Sequence, residues 1–206
     1  YETKAAVLAA RENSTLPVLV SNVYDADGKL MSGANPEAMV AMLEGMGADA
    51  IGVNCSLGPD KMLPTLQRLA AHTSLPLAVK LNAGLPDPQT GEYSLSPEEY
   101  AALLEPYFEL PVAFVGGCCG TTPSHIHALT RLASDIVPVS ICEKGDTMVS
   151  SYTHAVHFGD EPILIGERIN PTGKPRFKEA LRARDMDYIL REGISEEERG
   201  VHILDV

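Results

Sequence analysis

Residues 1–135 repeat one pattern: a short apolar run, a polar loop, then apolar residues at helical spacing. No other feature restricts the fold as much. The runs at 16–24 (LPVLVSNVY), 50–55 (AIGVNC), 77–81 (LAVKL) and 112–116 (VAFVG) read as strands. Residues 3–12 read as the end of a helix already under way. Asn35-Pro36 opens the next helix, with Asn as N-cap and Pro at the first helical position. Its apolar stripe is Met39, Met42, Leu43 and Met46, and Gly47 is its stop. A helix is expected over 60–72, with Pro64 near its first turn. Ser96-Pro97-Glu98-Glu99 is a capping box that opens a helix to about Phe108, and Thr122-Pro123 opens another to about Ser134. Strands that alternate with helices through short loops pair in parallel. Four such units make half of a (β/α)8 barrel or a small doubly wound sheet. No Gly-x-Gly-x-x-Gly stands at a strand-to-helix turn, which argues against a dinucleotide fold.

The pattern stops at Asp135. Residues 136–161 show no clear periodicity and read as a linker. Then 163–165 reads as a strand, 177–192 as a helix and 202–206 as a strand. A helix without a strand before it opens the chain and a strand without a helix after it closes it, so both ends look cut.

The 206 residues, 45% of them hydrophobic, suffice to bury a core, and with no Trp that core is aliphatic and rich in Met. A net charge of −12 disfavours nucleic acid and anionic membrane as partners. No apolar run approaches the roughly 20 residues that span a bilayer, and the N-terminus lacks a signal peptide's layout. The expectation is a soluble, cytoplasmic protein. In a reducing compartment Cys55, Cys118, Cys119 and Cys142 are thiols or metal ligands and not a disulfide framework.

Cys55 closes the second strand and Cys118-Cys119 follow the fourth, inside Gly116-Gly117-Cys118-Cys119-Gly120. The C-terminal strand ends of a barrel form its active face, so three thiols at two such ends have a place to meet. Adjacent strand residues point to opposite faces. The flanking glycines free the backbone to turn, so that both sulfurs reach one ion. Three thiolates with an open fourth position describe a catalytic zinc site; three buried, inert cysteines fit the spacing equally well.

Two motifs, Gly52-Val53-Asn54-Cys55-Ser56 and Gly116-Gly117-Cys118-Cys119-Gly120-Thr121, together resemble the paired zinc motifs of the homocysteine S-methyltransferase family. That family includes betaine–homocysteine methyltransferases and the first module of methionine synthases. The resemblance covers about residues 1–135 and implies Zn2+ held by Cys55, Cys118 and Cys119. A second block, Gly166-Glu167-Arg168-Ile169-Asn170-Pro171-Thr172-Gly173-Lys174, resembles the first strand and loop of the pterin-binding domain of methionine synthases, itself a (β/α)8 barrel. It implies that Glu167 and Asn170 face the pterin cavity, with Asp205 at the end of the next strand as a third candidate. The plainer readings are a salt bridge from Glu167 to Arg168 or Lys174, and turn chemistry for Asn170-Pro171.

The implied fold class is thus α/β: the C-terminal half of a homocysteine-binding barrel over 1–135, a linker over 136–161, and the first βαβ segment of a second barrel over 162–206. The implied reaction is zinc-dependent methyl transfer from methylcobalamin, recharged from 5-methyltetrahydrofolate, to homocysteine. The cobalamin-binding domain of the intact enzyme is the implied partner. No side chain is assigned a catalytic role of its own. Asn22 and Asp25, after the first strand, are candidates for the homocysteine pocket or for a turn. Asn54 either touches substrate or braces the Cys55 loop, and Asn82 is equally open. His125 and His127 read as cap or solvent-facing residues, and His154 and His157 as part of the linker. Alternatives are a zinc methyltransferase of the same family with another donor or acceptor, and a zinc-binding fragment without turnover. A half-barrel exposes two strand edges and an apolar face, so self-association and no activity of its own are expected.

Overall fold

The computed structural model describes all residues, Tyr1–Val206, and divides them into two compact units. The first comprises residues 1–145 and 149–155; the second comprises 146–148 and 156–206.

The first unit opens with helix α1 (Glu2–Asn13) and then alternates strand and helix: β1 (Leu19–Asn22), α2 (Pro36–Gly45), β2 (Ala50–Cys55), α3 (Pro59–His72), β3 (Leu77–Leu81), α4 (Pro97–Leu104), β4 (Val112–Gly117) and α5 (Pro123–Ala133). The four strands pair in parallel in the order β1-β2-β3-β4. Sequential order without reversal is that of a barrel segment, whereas a doubly wound sheet reverses at its switch point. All four strand ends with their following loops therefore lie on one rim.

The helix starts follow their capping chemistry. Asn35 Oδ1 accepts from Ala38 N at 2.9 Å, and Pro36 occupies the first turn of α2. Gly47, at φ +79°, ends that segment in a left-handed conformation that glycine adopts without Cβ strain. The buried stripe of α2 is Ala38, Met39, Val40 and Leu43. Met42 and Met46, expected in the stripe, are only half-buried. The Ser96–Glu99 capping box is present in both directions. The helix it opens gives way to a 3₁₀ turn, Glu105–Glu109, where Pro106 cannot donate to an α-helical ladder.

Leu77, Val79 and Leu81 of β3 are fully buried, as are Val53, Leu66 and Leu104. Tyr100 enters this core from α4, and its hydroxyl lies between the carbonyls of Leu81, 3.0 Å, and Gly116, 2.9 Å, bridging the ends of β3 and β4. Burial pushes the Tyr100 phenol well above its usual range, so it stays a neutral donor there. The edges of the sheet are less covered. Leu19 and Val23 at the β1 side and Phe114 on β4 are 38%, 49% and 50% exposed.

The stretch 136–161, read as a linker without clear periodicity, contains two short strands, β5 (Thr147–Ser150) and β6 (Ala155–Phe158), in a two-stranded sheet. Four-residue strands are too short to show a period, and the turn 151–154 closes through Ser151 and His154.

In the second unit β7 (Ile165–Gly166) pairs in parallel with β8 (Ile203–Leu204). The helix expected over 177–192 is two helices, α6 (Pro175–Ala183) and α7 (Met186–Glu197). The break is at Arg184, left-handed at φ +54°, and Asp185 N-caps α7 by accepting from Tyr188 N at 3.0 Å. The apolar period runs through both helices and hides the N-cap that separates them.

Candidate metal centre

The rim of the first unit brings three thiols together. The Sγ atoms of Cys55 and Cys119 are 3.6 Å apart, those of Cys118 and Cys119 are 3.9 Å apart, and all three lie within 4.8 Å of one another. None is in a disulfide.

The backbone does this by means other than those expected. Gly116 and Gly117 precede the double cysteine but have no left-handed φ. Gly117 is needed for space: a Cβ there would fall 2.4 Å from Thr121 Oγ1, the hydroxyl that donates to Cys118 O. The left-handed residues are Cys55 (φ +56°) and Ser56 (φ +66°) themselves, with Gly120 (φ +79°) on the other side. A non-glycine residue in that region costs on the order of 1 kcal/mol or more and persists only where its surroundings hold it. Ser56 is held from both sides: its Oγ donates to Tyr24 O, and its carbonyl accepts from Asn82 Nδ2 at 2.9 Å.

Asn82 is the centre of this bracket. It is 5% exposed, and its Oδ1 accepts from Cys119 N at 3.1 Å while its amide donates to Ser56. One side chain thus ties the Cys55 strand end to the Cys119 loop. Backbone bonds from Cys118 N to Leu81 O, 2.8 Å, and from Ala83 N to Cys119 O, 2.9 Å, complete the attachment. Sequence reasoning left Asn82 undecided, because a polar residue at a strand end has the same signature whether it braces or binds.

The thiols are not equivalent. For Cys55, burial works upward, but donation from Ser56 N–H and from the Cys119, Cys118 and Asn82 side chains outweighs it, and the pKa is lowered. For Cys118, burial and hydrogen bonding with the other two cysteines push it up. Zn–S bonds of about 2.3 Å in a tetrahedron place sulfurs about 3.8 Å apart. The 3.6 and 3.9 Å separations bracket that edge and the third lies within 4.8 Å, so the donor set fits a thiophilic ion with three sulfur ligands.

Tyr93 packs on the Gly120 that follows the double cysteine, and burial, then the nearby Cys119 charge, push its phenol up. His125 is buried and caps α5: its Nδ1 accepts from Thr122 N at 3.2 Å, and its Nε2 meets Leu95 O at 2.9 Å. His127 is exposed.

The other expected site residues are distributed less simply. Asn22 shares register with Val53 and Asn54 with Lys80, so the two asparagines lie on opposite faces of the sheet. Asp25 is committed to a turn, its Oδ1 accepting from Asp27 N and Lys29 N. In the second unit, Glu167 Oε2 accepts from Lys174 Nζ at 2.8 Å, which lowers the Glu167 pKa. Asn170 Oδ1 accepts from Thr172 N, closing its own turn. Glu167 and Asp205 each follow a strand of the parallel pair β7–β8, at the same end. His154 bonds Thr153, and His157 faces Asp146 at 3.3 Å.

A four-stranded parallel sheet whose rim gathers three thiols is an arrangement able to hold a thiophilic ion. The family model for homocysteine S-methyltransferase matches residues 1–133, and the chain belongs to this family of methyltransferases. It is similar to the methionine synthase of Mycobacterium leprae (strain TN), 36% identical over 222 residues, covering 100% of this chain and 18% of that protein. It is similar to the methionine synthase of Mycobacterium tuberculosis (strain ATCC 25618 / H37Rv), 34% identical over 215 residues with the same coverage. The chain therefore spans about 18% of the length of these relatives. Among solved structures, the apo homocysteine methyltransferase MmuM from Escherichia coli aligns with a TM-score of 0.50 and 27% identity, over 64% of this chain and 44% of that one. No helix is long and apolar enough to cross a membrane.

Proposed function

We propose that this chain is the part of a cobalamin-dependent methionine synthase that activates homocysteine, joined to the opening of its folate-binding domain. The observation that carries this reading is the three-sulfur cluster in a chain similar along its whole length to methionine synthases. That similarity continues past residue 133, where the family model ends, which favours a methionine synthase over a family member lacking the second block.

On this reading Cys55, Cys118 and Cys119 hold Zn2+. Bound zinc would lower the pKa of the homocysteine thiol, so that its sulfur is available as a thiolate near neutral pH. The protein's own work is to keep the three sulfurs converged. Asn82 fixes the two loops against each other, and Tyr100 holds together the strand ends beneath them. Asn54, on the face shared with Lys80, would line the homocysteine pocket. Asn22, on the opposite face, and Asp25, bound in its turn, contribute support. Glu167, Asn170 and Asp205 belong to the pterin side, where 5-methyltetrahydrofolate would recharge the methyl donor, methylcobalamin. The cobalamin-binding domain, a cytoplasmic location and the division at 1–135, 136–161 and 162–206 belong to the same reading.

Elemental analysis tests the metal. Cys55→Ala and Cys119→Ala should each strip zinc, and full metal content in either variant would refute the assignment. Methionine formation from homocysteine and methylcobalamin, assayed with the intact protein and with this chain, tests the rest. Activity is expected only in the intact protein.

A further inference from the structure

The loop from Asn82 to Ser96, between β3 and α4, is far longer than the roughly 2–6 residues usual for such connections. An antiparallel bridge between Pro86 and Tyr93 makes it a small hairpin. The hairpin leans on the loop that carries the double cysteine: a Cβ on Gly120 would fall 2.2 Å from Tyr93 Cγ, so only glycine leaves that ring its place. Hydrogen bonds join the same two loops at the hairpin base. Ala83 N donates to Cys119 O at 2.9 Å, and Leu95 N donates to Ala83 O at 3.4 Å. His125, in the first turn of α5, supplies the rest. Its Nε2 donates to Leu95 O at 2.9 Å, and its Nδ1 accepts from Thr122 N at 3.2 Å. A carbonyl only accepts, so Nε2 carries the proton and Nδ1 the lone pair that Thr122 N meets. These bonds, with the chain from Cys119 to Thr122, form a closed circuit through Cys119, Ala83, Leu95, His125 and Thr122. Its other links are backbone groups, and His125 closes it with a side chain. That side chain is buried, and its ring stands edge-on to Tyr100, with centroids 5.7 Å apart and planes at 75°.

We propose that His125 is a positioning residue of the three-thiol site: it locks the Cys119 loop to the hairpin base and so keeps the Cys119 sulfur beside that of Cys55. Asn82 holds Cys119 by its N–H, and the circuit holds it by its carbonyl. Loss of the two imidazole bonds opens the circuit and leaves Leu95 O and Thr122 N without these partners. The effect on metal affinity rests on the reading of the cluster as a zinc site. The fastening of the loop does not, because its bonds exist with or without an ion.

The test uses the intact protein and its His125→Phe and His125→Gln variants. Phenylalanine keeps a ring against Tyr100 but makes neither bond. Glutamine gives up the ring but offers both an acceptor and a donor, and at this place in a capping box its oxygen accepts from the N-cap N–H. In competition with a chromophoric chelator, His125→Phe should bind zinc about tenfold less tightly, and His125→Gln within about threefold of the unaltered protein, because residues that orient metal ligands contribute about 10–100-fold. A residue that merely packs gives the opposite order, with His125→Gln the weaker binder. That order overturns the proposal, and so does unchanged affinity in His125→Phe. Amide hydrogen exchange in the metal-free protein is the second readout. Residues 83–95 and 119–122, remote in sequence, should lose protection together in His125→Phe and keep it in His125→Gln; unchanged protection in His125→Phe overturns the fastening. If His125→Phe does not fold, His125→Gln decides: affinity near that of the unaltered protein supports the proposal, and a loss of about tenfold or more overturns it. If the unaltered protein binds no zinc, the proposed function fails while the exchange arm still decides the role of His125.

Discussion

Replacing Asn82 by alanine would leave two part-buried backbone groups without partners. Asn82 Nδ2 serves Ser56 O at 2.9 Å and its Oδ1 serves Cys119 N at 3.1 Å, from a position only 5% exposed. A buried polar group stripped of its partner costs about 1–3 kcal/mol, and because water reaches both of these part-buried groups the pair amounts to roughly 1–3 kcal/mol. Part of that cost falls on the metal site, because the bonds hold Cys55 and Cys119 at the 3.6 Å separation of their sulfurs. Residues that orient metal ligands typically contribute about 10–100-fold to affinity. Zinc affinity of Asn82→Ala should therefore fall by at least about tenfold, or about 1.4 kcal/mol. Asn82→Asp keeps the acceptor for Cys119 N but loses the donor to Ser56 O, and should fall between. Competition against a chromophoric chelator in the intact protein measures both. Zinc affinity of Asn82→Ala within twofold of the unaltered protein would refute the bracket.

Three further outcomes follow from the fold. Arg68→Met breaks a two-pronged pair with Glu37, 2.8 and 2.7 Å, that joins α2 to α3. Because the pair is partly exposed, the loss should be about 1 kcal/mol at neutral pH. Burial raises the Glu37 pKa, but Arg68 outweighs it and holds the folded value below 4.5. The pair's contribution is thus complete above about pH 4.5 and fades as pH falls through the folded value; urea unfolding of both proteins at neutral and acid pH should show the difference shrink, and a constant difference counts against it. This 206-residue chain, with exposed Leu19, Val23 and Phe114 at its sheet edges, should elute above its 22.1 kDa monomer mass in light scattering; a clean monomer at micromolar concentration contradicts that. Calorimetry should find no binding of 5-methyltetrahydrofolate to this chain, since β7, β8 and two helices are a small part of a barrel; tight binding would move the proposed domain boundary.

The order of elements in the first unit was legible without a structure because local chemistry dictates it. Asn35-Pro36, Ser96–Glu99 and Thr122-Pro123 announce their helices through the backbone donors they satisfy or omit. The strands at 50–55 and 77–81 stand out as apolar runs between turn signals. Legibility ended where short elements or neighbours in space decide. β5 and β6 are too short to show a period, and the left-handed Arg184 splits a helix whose apolar pattern is continuous. At the candidate site the three cysteines were identified by motif, but their convergence depends on features with no local signature. Ser56 and Cys119 are held by Asn82, which lies 26 and 37 positions away in sequence. Tyr93 meets Gly120 because a hairpin after β3 folds toward the loop after β4. The sequence alone therefore determined which residues begin and end each element and which types are present to ligate an ion. Only the tertiary structure decided which side chains stand between the loops, because hydrogen bonds and packing across a parallel rim join residues whose separation in the chain carries no pattern.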